Sequence, residues 1–449
     1  MDGLRVPLPR PSFPIHAWRF ACQGYFDAEE ILSFMQYGWD FSFSAPPSPK
    51  DATKNLASAA MAPKDVDVYI KSELEHAAIL GPFREGQLPF KVFRSPLGTA
   101  PKIPVRRTIT DCSQVSEGIN SFISAHDHRG KTWKITLPTT HTIVELIKEN
   151  RSLFPGQQLQ MFKVDFSRWY RWFQVDPGQS IFFAIGWNGS VYIDASLSFG
   201  NRASALCAQR TMWAIVWIFR TRINPAPGIP NSGSSCCCTD HCKCGDIKVC
   251  GYIDDTICIA PQSFPQHQYD AFLDLCKNLG LKLSQSPGHL SPPANKCIAL
   301  GLLYNLEDNT VSLPSDKLAA LLSTLEEWLS KVYATEHDLA SLAGRLLHAS
   351  NVVRSGRLLT SRVLSTKRLA ASIDRPVRLD AACFADLRWW QNALKFRNGI
   401  SFLEHDDDVV ISMDASGNSW KDGLPGLARF QFHQGRILVR PSAPTIPGS

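Results

Sequence analysis

The sequence predicts an α+β fold whose centre is a split βαβ sheet. Two β-prone runs, Val249 to Ile253 and Thr256 to Ala260, are joined only by Asp254 and Asp255, which is typical of a hairpin with a two-residue turn. A second β-like run, M-F-K-V-D, ends at Asp165. These carboxylates at strand ends are the features on which the functional prediction depends.

The elements before and around the hairpin follow the order β-α-β-β-α-hairpin, which is the order of a split βαβ sheet with helices on one face. Apolar residues three and four apart predict the helices, and β-branched and aromatic runs bounded by turn residues predict the strands. The expected helices are Ala28 to Met35, Asp65 to Ile79, Thr142 to Asn150, Ala203 to Arg220 and Gln266 to Leu279, and further strands are expected over Ile181 to Trp187, Ser190 to Leu197 and Leu300 to Tyr304.

Beyond Pro314 the apolar residues take helical spacing, with one stripe from Leu318 to Val332 and a second from Leu339 to Leu347. Thr335 and Asp338 resemble a capping box at the start of the second helix. An aromatic helix and a β-rich piece, V-V-I-S-M-D-A-S, follow. The predicted divisions are an N-terminal arm (1–63), the sheet region (64–305), a helical domain (306–375), and a linker helix with a partial α/β fragment (376–449).

The composition indicates a globular protein. At 449 residues, with 44% hydrophobic and 20% charged residues, two to four domains are expected. The net charge of +6 is compatible with a polyanionic partner. No secretory signal is visible, and the longest apolar run, Met212 to Phe219, is too short to span a bilayer, so no membrane partner is predicted. The 13 cysteines are therefore expected to be reduced thiols of an intracellular protein, in the nucleus or the cytoplasm.

Two adjacent aspartates at a hairpin tip repel each other, and the repulsion grows where solvent is excluded. A divalent cation held between them and a third acid makes the arrangement favourable, and Asp165 supplies that acid. Two strands that deliver aspartates to one point give the geometry of two-metal phosphoryl transfer. Mg²⁺ suits such a site because it binds through a few carboxylates and substrate phosphates. The pattern therefore predicts a nucleic-acid polymerase.

The ordered set of motifs resembles reverse transcriptases and, within that class, the DIRS-type retrotransposons, in which an RNase H domain follows the reverse transcriptase. The similarity covers roughly residues 35 to 422. The segments that look like the fingers are S-P-L-G-T-A-P-K and R-R-T-I-T-D-C-S-Q-V-S-E-G-I-N. The first catalytic motif resembles V-D-F-S-R-W-Y-R-W-F-Q-V, the template-grip helix resembles S-F-G-N-R-A-S-A-L-C-A-Q-R, and the second catalytic motif resembles Y-I-D-D. The thumb or connection resembles V-S-L-P-S-D-K-L and L-A-S-L-A-G-R-L, and the entry into RNase H resembles D-L-R-W-W-Q-N-A-L and M-D-A-S-G-N-S-W.

The resemblance implies a right-hand polymerase with fingers, a palm formed by the split βαβ sheet and its carboxylate hairpin, and a helical thumb. It implies RNA-directed DNA synthesis, in which deoxynucleotides are added to a primer 3′-hydroxyl. The partners would be an RNA or DNA template with its primer and deoxynucleoside triphosphates; the oligomeric state is not predicted. A decayed or host-adopted copy that binds RNA or RNA–DNA hybrid without synthesis is the alternative.

The resemblance also assigns roles to individual residues. Asp165, Asp254 and, least directly, Asp255 would hold two Mg²⁺ ions, and Mn²⁺ would serve in the same role. Nucleotide-binding roles fall on Arg107 and its helper Lys102 at the triphosphate, on Tyr170 beneath the incoming sugar, and on Phe199, Gly200 and Gln209 along template and nucleotide, while Tyr252 would lie near the primer end. For Tyr170, Tyr252 and the basic residues the alternative is an ordinary core or surface side chain.

The chain departs from the family pattern in two places. Where many relatives carry a lysine regarded as the general acid for pyrophosphate, the sequence offers His289. The insert C-C-C-T-D-H-C-K-C supplies enough ligands for a tetrahedral zinc ion, although their spacing differs from the usual paired pattern and a cysteine-rich surface loop is the alternative. The candidate zinc ligands are Cys236, Cys238, His241, Cys242 and Cys244.

The C-terminal fragment is expected to be an incomplete RNase H-like fold. Asp414 matches its first catalytic carboxylate, and Asp422 is the one acid that follows it in the chain. A two-metal nuclease site needs about four acids. The fragment is therefore expected not to cleave the RNA of a hybrid.

Overall fold

The structure is a computed structural model that describes residues 13–49, 54–101, 105–114, 118–124, 126, 134–223, 248–262, 265–286, 288–402, 411–414 and 429–432. Contacts divide the chain into two compact units, Met1–Glu307 and Asp308–Ser449. Each unit mixes helices with antiparallel strands. No helix among the described residues is long and apolar enough to cross a membrane.

The first unit contains the central sheet and most of the aromatic core. Its helices are α1 (Ile15–Ala21), α2 (Ala28–Tyr37), α3 (Ala57–Ala60), α4 (Pro63–Glu75), α5 (Thr140–Leu153), α6 (Ser204–Ile218) and α7 (Pro265–Asn278). Its strands are β1 (Ile79–Arg84), β2 (Leu97–Ala100), β3 (Arg107–Thr110), β4 (Leu159–Asp165), β5 (Ala184–Trp187), β6 (Ser190–Asp194), β7 (Lys248–Tyr252), β8 (Asp255–Pro261), β9 (Leu290–Ala294), β10 (Lys296–Ala299) and β11 (Leu302–Asn305).

The central sheet has the strand order β7-β8-β4-β9 with antiparallel pairing throughout, so the predicted hairpin lies beside the strand that ends at Asp165. Helices α5 and α7 contact β4 and β8, and α6 contacts β7. The predicted strands β5 and β6 do not join this sheet. They pair instead with β1 in a separate sheet of order β1-β6-β5, because the alternation of apolar residues predicts a strand but not its partner.

The hairpin turn differs by one residue from the prediction. The two turn residues are Ile253 and Asp254, while Asp255 is the first residue of β8 and pairs with Tyr252. Ile253 has a φ of 54°, in the left-handed region. A β-branched residue rarely adopts that conformation, so the sequence favoured a strand up to Ile253 and a turn after it.

The segment expected to be an extended N-terminal arm is part of the core over its described residues. Its helices α1 and α2 contact each other, and α2 contacts α6. Trp18 is completely buried and its indole Nε1 donates to the carbonyl of Leu279 at 3.0 Å. The Arg210 guanidinium donates to both carboxylate oxygens of Asp27. Six of its aromatic residues are buried, while Phe20, Phe26 and Tyr37 are exposed.

The second unit is mostly helical. Its elements are β12 (Thr310–Ser312), α8 (Ser315–Ser330), β13 (Tyr333–Ala334), α9 (Glu336–Ala349), α10 (Ser361–Ile373), β14 (Val377–Arg378), α11 (Ala381–Phe396), β15 (Ile400–Ser401), β16 (Ile411–Asp414) and β17 (Arg429–Phe432). The predicted capping box is confirmed, since Thr335 and Asp338 each accept the other's backbone N–H. Of the two predicted stripes, Leu321, Leu325, Leu339, Leu342 and Leu346 are buried.

The RNase H-like prediction falls largely outside the described residues. Strands β16 and β17 pair antiparallel, and Asp414 is the last residue of β16. Asp422 and the rest of the fragment, apart from β17, are not among the described residues. The incomplete nuclease fold therefore stays a prediction.

Candidate active site

The three aspartates predicted as metal ligands meet at one end of the central sheet. Asp165, the last residue of β4, lies directly opposite Asp255, the first residue of β8. Asp254 precedes Asp255 in the turn, and its carbonyl accepts the N–H of Phe166 at 2.9 Å. The strand register thus brings two carboxylates together, and the turn adds the third.

Like charges at directly opposite positions destabilise a strand pair, and each of the two strand aspartates has a lysine or histidine side chain beside it. Lys163 Nζ lies 3.3 Å from Asp255 Oδ1, and His289 Nδ1 lies 3.0 Å from Asp165 Oδ2. Lys163 precedes Asp165 by two residues on β4, so both side chains lie on one face of the sheet. Because side chains two residues apart on a strand share a face, the spacing could have identified Lys163 as a neighbour of the aspartates from the sequence.

The aspartates repel one another in a half-buried environment. Burial, and then the negative charges of Asp165 and Asp255, raise the pKa of Asp254 to about 6. Burial also raises the pKa of Asp255, although Lys163 lowers it. The site therefore holds more negative charge than Lys163 offsets, and a further cation would be stabilised there.

The donor chemistry of these residues fits Mg²⁺. Carboxylate oxygens are the ligands this ion prefers, and the buried Oδ1 of Asp255 has the ammonium of Lys163 3.3 Å away. Within the described part of the chain, no three His, Cys, Asp or Glu side chains form a ready-made metal cluster. Asp255 and Asp165 lie instead beside Lys163, at 3.3 Å, and His289, at 3.0 Å. Metal binding by the aspartates stays a prediction.

Helix α6 fixes the hairpin that carries Asp254. Gln209 is completely buried; its Nε2 donates to the carbonyl of Gly251 at 2.9 Å, and its Oε1 accepts the N–H of Ile253 at 2.7 Å. A side chain at Gly251 would overlap Met212 of α6. Gln209, expected along template and nucleotide, thus lies in the core. Its bond to Ile253 holds the strained turn in place.

Three of the residues predicted to contact the nucleotide, Arg107, Tyr170 and Phe199, contact one another close to Asp254. Tyr170 lies in a 3₁₀ turn, Trp169–Trp172, and its ring meets that of Phe199 edge to face at 4.8 Å. The Arg107 guanidinium lies over the Phe199 ring at 5.2 Å, within the range of a cation–π contact. Phe199 keeps 43% of its surface exposed. Burial, Asp254 and Tyr252 raise the pKa of Tyr170 to about 12, so its hydroxyl stays neutral.

Gly200 and Tyr252 complete this surface. Gly200 has a φ of 98°, and a Cβ there would overlap the carbonyl oxygen of Thr110. Only glycine lets the segment after Phe199 approach the strand that begins at Arg107 so closely. Tyr252 lies opposite Asp255 in the hairpin and is half-buried.

Several predicted residues lie outside the described residues. They are Lys102 and the candidate zinc ligands Cys236, Cys238, His241, Cys242 and Cys244. Zinc binding therefore stays a prediction. The eight cysteines that the structure describes are all buried. Their reduced state stays a prediction.

Replacing Asp254 with asparagine is expected to stabilise the metal-free protein. The folded-state pKa of about 6 lies above the ordinary value of 3.8, so the folded state binds the proton more tightly. The free energy of unfolding therefore falls as the pH rises from 3.8 to about 6 and the Asp254 carboxyl ionises. Asparagine does not ionise, so Asp254→Asn should add on the order of 1 kcal/mol at pH 8, about 2 °C in Tm.

Thermal unfolding in EDTA at pH 5 and pH 8 measures this effect, which should be larger at pH 8. Asp270→Asn, at an exposed position on α7, is the matched control and should leave Tm unchanged. A Tm for Asp254→Asn at or below that of the wild type at pH 8 would contradict the electrostatic interpretation of the site.

Solved structures with a similar architecture are those of foamy viral protease–reverse transcriptase. One, designated dRH and in complex with double-stranded DNA, matches with a TM-score of 0.52 and 13% identity over 93% of this chain and 66% of that one. Another, in complex with an RNA/DNA hybrid, has a TM-score of 0.54 and 12% identity over 93% and 50%. A third, with double-stranded DNA, has a TM-score of 0.52 and 13% identity over 93% and 78%.

The chain spans 66% and 50% of the first two of these structures. No protein-family model matches the chain, and no curated protein does. At such low identity the likeness concerns the fold. The mixed helices and sheets, with three aspartates at one end of the central sheet, form a reverse transcriptase-like fold.

Proposed function

We propose that the chain is the RNA-directed DNA polymerase of a retrotransposon, a reverse transcriptase that adds deoxynucleotides to a primer 3′-hydroxyl. The observation that carries the proposal is the meeting of Asp165, Asp254 and Asp255 at one end of the central sheet. The order of the sequence motifs supports a DIRS-type element. In this proposal 64–305 forms fingers and palm, 306–375 the thumb or connection, and 376–449 a linker helix and partial RNase H-like domain.

The aspartates would act through bound metal ions. Asp165, Asp254 and, less directly, Asp255 would hold two Mg²⁺ ions, or Mn²⁺, which supply the charge that activates the 3′-hydroxyl and stabilises the departing pyrophosphate. Lys163 and His289 would compensate the remaining negative charge at Asp255 and Asp165. The strand register fixes the spacing of the ligands before any substrate binds, which lowers the cost of organising the site.

The surface next to the aspartates would bind the incoming nucleotide. Arg107 presents a planar set of donors that suits triphosphate oxygens, and its contact with the Phe199 ring orients it. Tyr170 would lie beneath the sugar, where a fixed ring leaves no room for a 2′-hydroxyl. Tyr252, in the hairpin beside Asp255, would lie near the primer end.

Primer extension tests the proposal directly. Purified protein with poly(rA)/oligo(dT), dTTP and Mg²⁺ should extend the primer, and EDTA should stop the extension. The alternative function, a decayed copy that binds RNA or RNA–DNA hybrid without synthesis, gives binding without extension. Extension with either Mg²⁺ or Mn²⁺ excludes this alternative, and its absence with both refutes the proposed polymerase.

A basic stretch of the second unit is suited to the nucleic-acid partner. Residues 345–378 contain eight Lys or Arg and one Asp. Five exposed arginines of this stretch have no acidic partner among the described residues: Arg354, Arg357, Arg368, Arg375 and Arg378. They occur before α10, on it and after it. Clustered unpaired arginines favour contact with phosphates, which contributes affinity without sequence specificity.

Replacing Arg354, Arg357 and Arg368 together with glutamine is expected to weaken template–primer binding. If each contacts one phosphate, the slope of log K against log salt should fall by about 2 to 3 in total. Fluorescence anisotropy with a labelled hybrid at several salt concentrations measures the slope. Arg19→Gln and Arg84→Gln, at exposed positions of the first unit, are the controls. An unchanged slope in the triple variant would exclude this stretch as a binding site.

A further inference from the structure

A buried cluster of charged side chains lies beside the turn that carries Tyr170. We call it the Glu73 brace; it consists of Glu73, Arg168, Arg171 and Asp194. Glu73 Oε2 accepts from Arg168 Nη2 at 2.9 Å and from Arg171 Nε at 2.7 Å. Arg171 Nη1 lies 2.8 Å from Asp194 Oδ1. The side chains of Glu73 and Arg171 are each 5% exposed, and two positive charges balance two negative ones.

The brace holds the turn that carries Tyr170 at two points, one on each side of the tyrosine. Arg168 precedes Trp169–Trp172 and has a φ of 54°, a left-handed conformation that a side chain other than glycine keeps only when its surroundings enforce it. Arg171 lies inside the turn, directly after Tyr170. Because Glu73 accepts from both arginines, one carboxylate holds the backbone on either side of the tyrosine.

The same guanidinium also locates the ring that Tyr170 contacts. Arg171 Nη1 donates to the carbonyls of Ser196 and Leu197, each at 3.2 Å, two to three residues before Phe199. The Tyr170 and Phe199 rings meet at 4.8 Å. Arg171 therefore ties together the two segments that present these rings, and Glu73 orients Arg171.

Helix α4, which carries Glu73, reaches the basic part of the surface as well. At its other end Asp65 Oδ2 accepts the backbone N–H of Arg106 at 3.1 Å, next to Arg107. Glu73 lies eight residues after Asp65, which is about 12 Å along the helix. One rigid helix thus supports both the arginine expected at the triphosphate and the tyrosine expected at the sugar.

We infer that Glu73 is a positioning residue for sugar selection, acting through Arg168 and Arg171 to hold Tyr170 where it excludes a 2′-hydroxyl. The inference rests on the proposed function. Glu73 touches neither the aspartates nor, in this account, the nucleotide. A buried ion pair is a poor means of stabilising a fold, because apolar residues of similar size often do as well. Glu73 instead accepts hydrogen bonds from arginines on both sides of Tyr170, as a residue that positions this tyrosine would.

The test compares incorporation of dTTP and UTP on poly(rA)/oligo(dT) by Glu73→Gln, with KM and kcat measured separately. The amide retains one acceptor but loses the charge that holds two guanidiniums. We expect the ratio of ribo- to deoxynucleotide incorporation to rise by about tenfold, because a small displacement of a positioning group has effects of this size. The KM for dTTP should rise more than kcat falls.

A double variant separates positioning from a general loss of structure. Since Glu73 acts through Tyr170, Glu73→Gln should add nothing to the altered ratio when Tyr170→Val is already present. Asp27→Asn is the control: it breaks another largely buried pair, with Arg210, and it should leave the ratio unchanged. If Glu73→Gln does not fold, Asp194→Asn, which loosens Arg171 from its other side, replaces it.

The possible results distinguish the two hypotheses. A wild-type protein that extends no primer would remove the proposed polymerase and this inference with it. Normal wild-type extension with an unchanged sugar ratio in folded Glu73→Gln, or in Asp194→Asn where that variant replaces it, would overturn the inference alone. Additive effects of Glu73→Gln and Tyr170→Val would also overturn it.

Discussion

Asp165→Asn and Asp254→Asn are each expected to abolish primer extension, with a fall in rate of about 10³-fold or more. In the proposed function each substitution removes a negatively charged metal ligand, and loss of a metal clamp costs several kcal/mol of transition-state stabilisation. Template–primer affinity should change little, because it comes mostly from phosphate contacts elsewhere. Single-turnover extension and anisotropy measure the two quantities separately.

Measuring the Tm of the variants tests whether unfolding causes the loss of primer extension. Asp254→Asn is expected to be at least as stable as the wild type without metal, since it removes a buried charge whose pKa is raised to about 6. If Asp254→Asn is inactive but has a higher Tm than the wild type, its loss of activity is not caused by unfolding. Asp270→Asn should be fully active. Extension at the wild-type rate by either Asp165→Asn or Asp254→Asn would refute the site assignment.

The sequence predicted well those parts of the structure that depend on local pattern. The strand ending at Asp165, helix α6 and the capping box of Thr335 and Asp338 each follow from periodicity or from residue preferences within one element. The hairpin was predicted to within one residue. The error arose at Ile253, because the sequence gives no local indication that a β-branched residue will adopt a positive φ.

Features that depend on distant contacts were not predictable. The sequence motif placed Gln209 along template and nucleotide, and nothing in it indicated that the amide is bonded to Gly251 and Ile253 in the core. Glu73 is one acid among several on α4, and no spacing relates it to Arg168 or Arg171, which lie about a hundred residues further along the chain. Burial of a charged residue is decided by the partner that compensates it, and here the partner is far away in sequence.

The surface next to the aspartates depends both on local sequence motifs and on contacts between residues that are distant in the sequence. The sequence placed Arg107, Tyr170 and Phe199 in motifs that resemble one family. The structure brings their side chains into contact, guanidinium over ring and ring against ring. In the proposed function this surface, which lies close to Asp254, would bind the incoming nucleotide, and Tyr170 would select its sugar.

Tyr170→Val is expected to raise the ratio of ribo- to deoxynucleotide incorporation by roughly 10- to 100-fold. If the ring blocks the 2′-hydroxyl, accommodating a ribose beside it carries an overpacking cost of about 1–3 kcal/mol, which the smaller side chain removes. The incorporation of dTTP and UTP on poly(rA)/oligo(dT) measures the ratio.

Tyr170→Phe is the matched control for this prediction, because it retains the ring and its edge-to-face contact with Phe199 while removing the hydroxyl. Since the exclusion is steric, the ratio should stay at the wild-type value in this variant. A ratio that rises equally in Tyr170→Phe would assign the selection to the hydroxyl. A ratio unchanged in both variants would make Tyr170 a packing residue, and sugar selection by this surface would then have to be abandoned.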